Sequence, residues 1–398
     1  MKIFCRLILL LLFAFVSGIH CYAATYIIAA ADSKNVTDPV ANFSCTGISD
    51  QNVIHDAMHS LSSNGGELVL LDGTYNFSGS LVIDVNNVTI TGSGPATTIA
   101  VAGSFLPHTA GQPYVIDMPP VGIHDINIFN LRIVGSGTSL TDPAGIHGPP
   151  NSHNIRVANC SFYNLGWVGS VDYSNSYNGI IENNFINTSG YGITLSGGIH
   201  SFGVLVKNNI ILNSIVGICS QNGSNHVIAG NRIDSLNINS FGIILGGTSS
   251  STIHGNAIST YGQCLYTEPG LPSSQPQINN LTIIGNTMLS THSYAMKLCS
   301  VGKSIVADNA ITSQLWDAVL LTRLDTSHQM CELNQVKSNI ITVGTYFRTG
   351  IRETNGDCDR DLFESNIIDG VQSPYPIIVV SGQNSISRLN LNANHFTK

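Results

Sequence analysis

The chain has 398 residues, with 16 Lys and Arg against 24 Asp and Glu, a formal net charge of −8 and only 10% charged residues. No basic cluster interrupts it, so it lacks the counter-charge that a phosphate backbone demands, and a nucleic-acid partner is excluded. Its polarity has to come largely from Asn, Ser, Thr and Gly.

At the N-terminus Lys2 and Arg6 flank the start of an apolar run from Leu7 to Val16, followed by small residues at Ala23 and Ala24. This pattern predicts a secretory signal peptide over residues 1–23. The run is shorter than the ~20 residues a spanning helix needs, and no later stretch is long and apolar enough to replace it. The mature chain is therefore expected to be secreted or held in the cell envelope or periplasm, with no transmembrane segment after cleavage.

Residues 24–100 read as an N-terminal cap and the first coils of a repeat. Thr25 to Ala30 is a short strand. Asp50 to Leu61 carries Ile54, Ala57, Met58 and Leu61 at helical spacing, with Asp50 placed as the N-cap. Asn64-Gly65-Gly66 stops that helix. Strands are then expected at 67–71, 74–77, 81–85 and 88–91, each punctuated by Gly or Asn. A helix lying over the first coil hides an open backbone edge, which solenoids need. Pro107, Pro113, Pro119 and Pro120 break the rhythm, so residues 101–122 are expected as a loop leaving the solenoid.

From residue 123 to 398 the chain repeats one phrase: Asn, any residue, then an apolar residue. The aligned Asn positions are 159, 184, 209, 231, 256, 286, 309, 339 and 366, at steps of 22 to 30 residues. Such steps, filled by apolar runs of three to six residues, suit narrow strands stacked coil upon coil. Propeller blades need ~40 or more residues each, and leucine-rich repeats need a strict Leu frame. Asn tolerates sharp bends, and stacked copies of its amide can hydrogen-bond to one another.

A second column follows each beat, in Gly192-Ile-Thr-Leu-Ser196, Gly217-Ile-Cys-Ser-Gln221, Gly262-Gln-Cys-Leu-Tyr266, Ala295-Met-Lys-Leu-Cys299 and Gly350-Ile-Arg-Glu-Thr354. Strand alternation turns the second and fourth positions inward and the third and fifth outward. The outer surface and the turn after it then collect Thr194, Cys219, Tyr266, Glu268, Lys297, Arg323, Asp325 and Arg352, with Glu353 in the inward phase. His147 is expected in the same column further up, with Asp172 and Tyr173 near it. Charges so scarce, gathered on one strip, suit an extended sugar chain. Glu268, Lys297 and Asp325 are the candidate catalytic residues; His147, Tyr266, Arg323 and Arg352 are candidate substrate contacts. Glycosidase chemistry wants two carboxylates ~5–9 Å apart, whereas Glu268 and Asp325 lie two coils, ~10 Å, apart.

With its Asn-x-Ile repeats, the opening segment Ala41-Asn-Phe-Ser-Cys-Thr-Gly-Ile-Ser-Asp50 and Gly65-Gly-Glu-Leu-Val-Leu-Leu-Asp-Gly-Thr-Tyr75, the chain resembles the right-handed parallel β-helix proteins of the pectate-lyase-like superfamily. The resemblance covers about residues 25 to 390. It implies an all-β, single-stranded right-handed parallel β-helix with a short N-terminal capping helix. It also implies a carbohydrate-active enzyme, hydrolase or lyase, acting on an extended and possibly uronate-containing polysaccharide. The alternative is a non-catalytic extracellular protein that binds glycans or acts as a spacer. Specific motifs are missing. The Asn-Thr-Asp, Asp-Asp, Gly-His and Arg-Ile-Lys series of polygalacturonase-like hydrolases does not occur in order. Asp142-Pro-Ala-Gly departs from the Asp-Pro-His-Asp element of alginate epimerases. The acidic cluster of calcium-dependent pectate lyases has a counterpart only in Asp357-Cys-Asp-Arg-Asp361, which reads as a solvated turn. No cofactor and no metal site are expected, and the chain is expected to act as a monomer on a glycan ligand.

Seven cysteines remain after the signal: Cys45, Cys160, Cys219, Cys264, Cys299, Cys331 and Cys358. Cys331 and Cys358 are one coil apart and are candidates to pair in an oxidising compartment; the other reading is that the cysteines are small buried fillers of a stacked core.

Overall fold

The computed structural model describes residues 23–34, 40–107, 113–119, 122–137, 142–166, 168–196, 201–269, 278–324, 328–344, 348–354, 356–370, 378–382 and 384–392. The predicted signal peptide lies outside them.

Three long parallel sheets run the length of the molecule. The first has 15 strands, from Phe43–Ser44, paired with Ala24–Ala29, to Ile386–Arg388; the second has 13, and the third has 12. Each coil visits the three in turn, as in Leu205–Lys207, Ile210–Leu212 and Val216–Gln221. A short fourth sheet of Ile278–Asn279, Val301–Gly302, Cys331–Glu332 and Cys358–Asp359 forms alongside the later coils. Fourteen steps at ~4.8 Å make the first sheet ~67 Å long.

The core is a set of apolar columns, because every inward residue sits directly over its equivalent one coil earlier. In the first sheet Ile128, Val157, Ile181, Val206, Ile228, Ile253, Ile283 and Val306 stack in unbroken register. All are buried, and each aliphatic side chain so buried stabilises the fold by about 1.5–3 kcal/mol.

The Asn beat is a hydrogen-bonded ladder. Asn184, Asn209, Asn231, Asn256, Asn286, Asn309, Asn339 and Asn366 each pass an amide proton from Nδ2 to the Oδ1 of the next, ending on Asn390, at 2.9–3.0 Å. The residue before each bends with positive φ, for example Asn183 at 56°, Gly230 at 63° and Ser338 at 56°. Asn159 is a correction: its φ of 55° makes it the equivalent of Asn183, and Cys160 occupies the ladder position, its backbone N–H donating to Oδ1 of Asn184 at 2.9 Å.

The helix α1 spans Asp50–His59 and buries Ile54, Ala57 and Met58 against the first coils. Its N-cap is Ser49, not Asp50. The fully buried Asp50 carboxylate instead accepts the amides of Gly47 at 2.9 Å and Asn76 at 2.8 Å, tying the incoming turn to a strand. The segment 101–122 is not all loop. Thr97–Leu106 runs on as a second-sheet strand, and Tyr114–Asp117 is a buried strand of the third sheet, paired in register with Ala144–Gly148. Val115 and Ile116 are wholly buried, which draws the segment back into the coil despite its prolines.

Candidate functional site

The outer column of the third sheet is continuous in register: His147, Asp172, Thr194, Cys219, Ile244, Tyr266, Lys297, Leu320, Arg352 and Val379. His147 therefore shares a column with Tyr266, Lys297 and Arg352, as the alternation of the sequence predicts. It is not near them. Five coils, ~24 Å, separate His147 from Tyr266, and Lys297 and Arg352 lie farther along.

At the upper end four side chains converge. The Nδ1 of His147 lies 2.8 Å from Oδ1 of Asp117, one coil earlier. The Tyr114 ring stacks on the imidazole with centroids 4.2 Å apart and planes 11° from parallel. The Tyr114 hydroxyl donates to Oδ2 of Asp172 at 2.7 Å, and the Ser174 hydroxyl donates to the other carboxylate oxygen. Asp117 and Asp172 are nearly inaccessible, at 2% and 5%, whereas the His147 side chain keeps 20% of its surface. Burial raises the Asp172 carboxyl, while His147 and the hydroxyls of Ser174 and Tyr114 pull it down. Burial and the Asp172 charge push the Tyr114 hydroxyl well above the usual phenol range. With Nδ1–H held by Asp117, the Nε2 of His147 carries the lone pair and can take up a proton. Tyr114 and Asp117 escape the sequence reading because they lie in the segment assigned to a loop. Tyr173 does not join the site: it is buried in the core, its hydroxyl donating to the Tyr177 carbonyl at 2.7 Å.

Midway, Tyr191, Phe241 and Tyr266 are half-buried aromatics packed around Val216, Cys219 and Ile244. Phe241 and Tyr266 have centroids 5.7 Å apart. Lys297, the register partner of Tyr266, places its ammonium 5.4 Å from that ring. Glu268 closes the group. Burial raises its carboxyl, against a hydrogen bond from Tyr266 and the nearby Lys297 charge. Glu268, Tyr266 and Lys297 are thus brought together; Asp325 lies outside the described residues.

Two of the expected contacts are committed elsewhere. Arg323 pairs with Asp357 at 2.7 Å, and Arg352 with the buried Asp317 at 3.1 Å. Arg352 still lines a hollow of about 360 Å³ with Tyr294, Leu320 and Val379. A larger one, about 550 Å³, lies among Asp32, Asp72, Thr74 and Ser93, away from the column. Asp357-to-Asp361 is not a solvated turn throughout: Asp361 is 1% exposed and takes an Asn-like place below Asn334, accepting its N–H at 2.7 Å and its Nδ2 at 3.0 Å. Cys331 and Cys358 are register partners, yet both thiols are free; their sulfurs face the carbonyls of Thr322 at 3.0 Å and Leu321 at 3.5 Å.

Residues 115–271 match the family model described as periplasmic copper-binding protein (NosD). No curated protein sequence matches the chain. Among solved structures, the chain is similar to the mannuronan C-5 epimerase AlgE6 A-module of Azotobacter vinelandii, at 16% identity and a TM-score of 0.64 over 87% of this chain and 95% of that one. It is similar to DFA-IIIase from Arthrobacter chlorophenolicus A6 without its lid, at 12% identity and a TM-score of 0.66 over 92% and 98%. It is also similar to the Dettilon tailspike protein, at 16% identity and a TM-score of 0.66 over 84% of this chain and 66% of that one. At these identities the likeness carries the fold alone. The chain folds as a right-handed parallel β-helix.

Proposed function

We propose that the protein is an exported carbohydrate-active enzyme that moves a proton on an extended, uronate-containing polysaccharide, as a lyase or an epimerase. One observation carries this reading: an imidazole oriented by a buried carboxylate, with a tyrosine hydroxyl bonded to a second buried carboxylate beside it. His147 is then the base that takes the proton α to the uronate carboxyl, and Tyr114 a donor on the same site. Hydrolysis beside His147 fits less well, because it needs a carboxylic acid presented to the glycosidic oxygen, and Asp117 and Asp172 are buried and hydrogen-bonded, while Glu268 lies about five coils away with Tyr266. The half-buried aromatics Tyr191, Phe241 and Tyr266 supply faces on which sugar rings stack, and Lys297 supplies a cation for a uronate. The neighbour that acts as a mannuronan C-5 epimerase supports the same substrate class.

The periplasmic description of the matching family agrees with export to the cell envelope. Its copper finds no ligand set in the matched stretch. Among the described residues of 115–271, no three His, Cys, Asp or Glu donor atoms all lie within 4.8 Å of one another. Cys160 and Cys264 there are buried thiols pushed up to about 12 by burial. No step is therefore routed through copper.

The test is incubation with a polysaccharide panel, reading reducing ends, absorbance of the unsaturated product and deuterium incorporation at C5. Cleavage with absorbance marks a lyase, and exchange without cleavage an epimerase. Reducing ends alone mark a hydrolase. Silence across the panel returns the protein to the glycan-binding reading that the aromatic group alone would support.

A further inference from the structure

We infer that His55, His59 and Asp84 form a binding site for a first-row divalent transition cation, one that binds Cu²⁺ more tightly than Zn²⁺ and ignores Ca²⁺. His55 and His59 are four residues apart on α1, so both rings leave the same helix face. Their Nε2 atoms are 3.2 Å apart, and the ring centroids 4.4 Å. Asp84 comes from the turn after the third-sheet strand Leu81–Val82 and points at both: its oxygens lie 3.0 Å from Nε2 of His59 and 3.9 Å from Nε2 of His55.

The spacing suits a chelating pair as well as a hydrogen bond. Metal–imidazole bonds are about 2.0–2.1 Å. Two such nitrogens stand roughly 3.4 Å apart at a tetrahedral angle and roughly 3.0 Å apart at a right angle. The observed 3.2 Å falls between these values. Two facing Nε2 atoms can share one proton as donor and acceptor or share a cation, and the Asp84 oxygens turned toward both favour the cation. Asp84 supplies a third donor and a negative charge. The side chains keep 35%, 47% and 35% of their surface, so a cation can enter from solvent and retain water in its remaining positions.

The donor set fixes the class. Two imidazoles and one carboxylate suit Cu²⁺, Ni²⁺ and Zn²⁺, with Cu²⁺ strongest, whereas Ca²⁺ wants six to eight oxygens. A cation here bridges α1 to the coil beneath it and so clamps the N-terminal cap. The sequence reading expects no metal site, since no His or Cys spacing resembles a structural zinc site; the Asp84 carboxylate comes from a different element. The site lies outside residues 115–271, yet Val82, two residues before Asp84, is the register partner of Asp117, which places the site about two coils, ~10 Å along the rod, from His147.

The experiment uses untagged protein titrated with Cu²⁺ against a chromophoric chelator, with electron paramagnetic resonance of the one-equivalent complex. His124 and His153, which stack with centroids 4.8 Å apart elsewhere on the surface, provide the control pair. The expected result is one tight Cu²⁺ per chain with nitrogen couplings from two imidazoles. That signature is lost in His55→Asn and in His59→Asn, is retained in His153→Asn, and binding is weakened at least tenfold in Asp84→Asn. Far-UV circular dichroism confirms that the variants fold. Zn²⁺ displaces a fraction of the Cu²⁺ and raises the melting temperature of the wild type but not of His59→Asn; Ca²⁺ does neither. Unchanged affinity and couplings in both His55→Asn and His59→Asn, or loss of the signature only in His153→Asn, overturn the inference.

Discussion

Asp117 holds Nδ1 of His147 at 2.8 Å from one coil above, while the Tyr114 ring covers the imidazole face at 4.2 Å. A carboxylate that fixes the tautomer and a ring that fixes the plane leave the imidazole one free nitrogen and one orientation. Substituting Asp117→Asn keeps the shape but removes the charge and the preferred tautomer. It is expected to lower turnover by about 10²-fold or more, with little change in melting temperature. Steady-state rates on an active polymer from the panel check this.

Tyr266 and Lys297 are ~24 and ~29 Å from His147 along the column. They are expected to hold the far part of a long chain and not the reacting sugar. Lys297→Ala and Tyr266→Ala should raise KM for polymer several-fold, yet leave kcat, and rates on short oligomers, near the wild-type values. Comparing polymer with short oligomers tests this directly.

The Asn ladder is a stability element whose members from Asn184 to Asn366 are buried and hydrogen-bonded. Asn256 donates to Ile228 O at 2.9 Å, His254 O at 3.2 Å and Asn286 Oδ1 at 2.9 Å, and accepts from Asn231 N and Nδ2 at 2.9 and 3.0 Å. Asn256→Ala leaves several of these partners buried and unsatisfied, at about 1–3 kcal/mol each. A total loss of about 3–5 kcal/mol is expected from denaturant unfolding. A loss below about 1 kcal/mol, the net value of one ordinary hydrogen bond, would show that the ladder relaxes around the gap.

Asp361 occupies a second ladder as a carboxyl where its upper neighbour is an amide. Burial pushes it up to about 7, and the neighbouring Glu353 adds to the rise against the bonds from Asn334. Asn334 sends its Nδ2 proton to the Val301 carbonyl at 2.8 Å; a protonated Asp361 can act in the same way, whereas an ionised one cannot. Its folded value lies above its unfolded value near 4, so the native state binds the extra proton. The contribution to stability is fully present below about pH 4 and is lost as pH rises through about 7. Asp361→Asn is expected to flatten this part of the pH–stability profile and to stabilise the protein at pH 8. A wild-type profile that rises between pH 5 and 8, and is unaltered in the variant, would contradict the assignment.

The described cysteines are all buried, with no disulfide among them. Burial raises the Cys45, Cys160, Cys264 and Cys299 thiols to about 12, with the Asp50 charge adding to the rise at Cys45. The thiolate is the reactive form, so a thiol reagent should leave the native protein unlabelled and react with all seven cysteines after denaturation. A count two lower after denaturation without reductant would mean that Cys331 and Cys358 pair in the exported protein.

The repeat makes the fold legible. One Asn beat at steps of 22 to 30 residues sets the coil, and strand alternation then sets the outer column from His147 to Arg352 correctly. Three features of the site stay hidden for physical reasons. Tyr114 and Asp117 lie among prolines that signal a loop, but Val115 and Ile116 bury the segment. Tyr191 and Phe241 stand just before the glycines of their strands, outside the alternating positions that define the column. Arg323 and Asp357 meet across coils 34 residues apart, a pairing fixed by turn shape that no local spacing announces. Cys160 shows the limit of the beat itself: a thiol takes the place of a ladder amide, and the Asn before it takes the bend.

The most direct test compares wild type with His147→Ala and Tyr114→Phe on uronate polymers in deuterated water. The readouts are C5 deuterium and unsaturated ends. The expected result is turnover by the wild type on at least one polymer, lost in His147→Ala and reduced in Tyr114→Phe, with all three proteins folded. Turnover that survives His147→Ala unchanged, or a wild type inert on every polymer tried, would contradict the account.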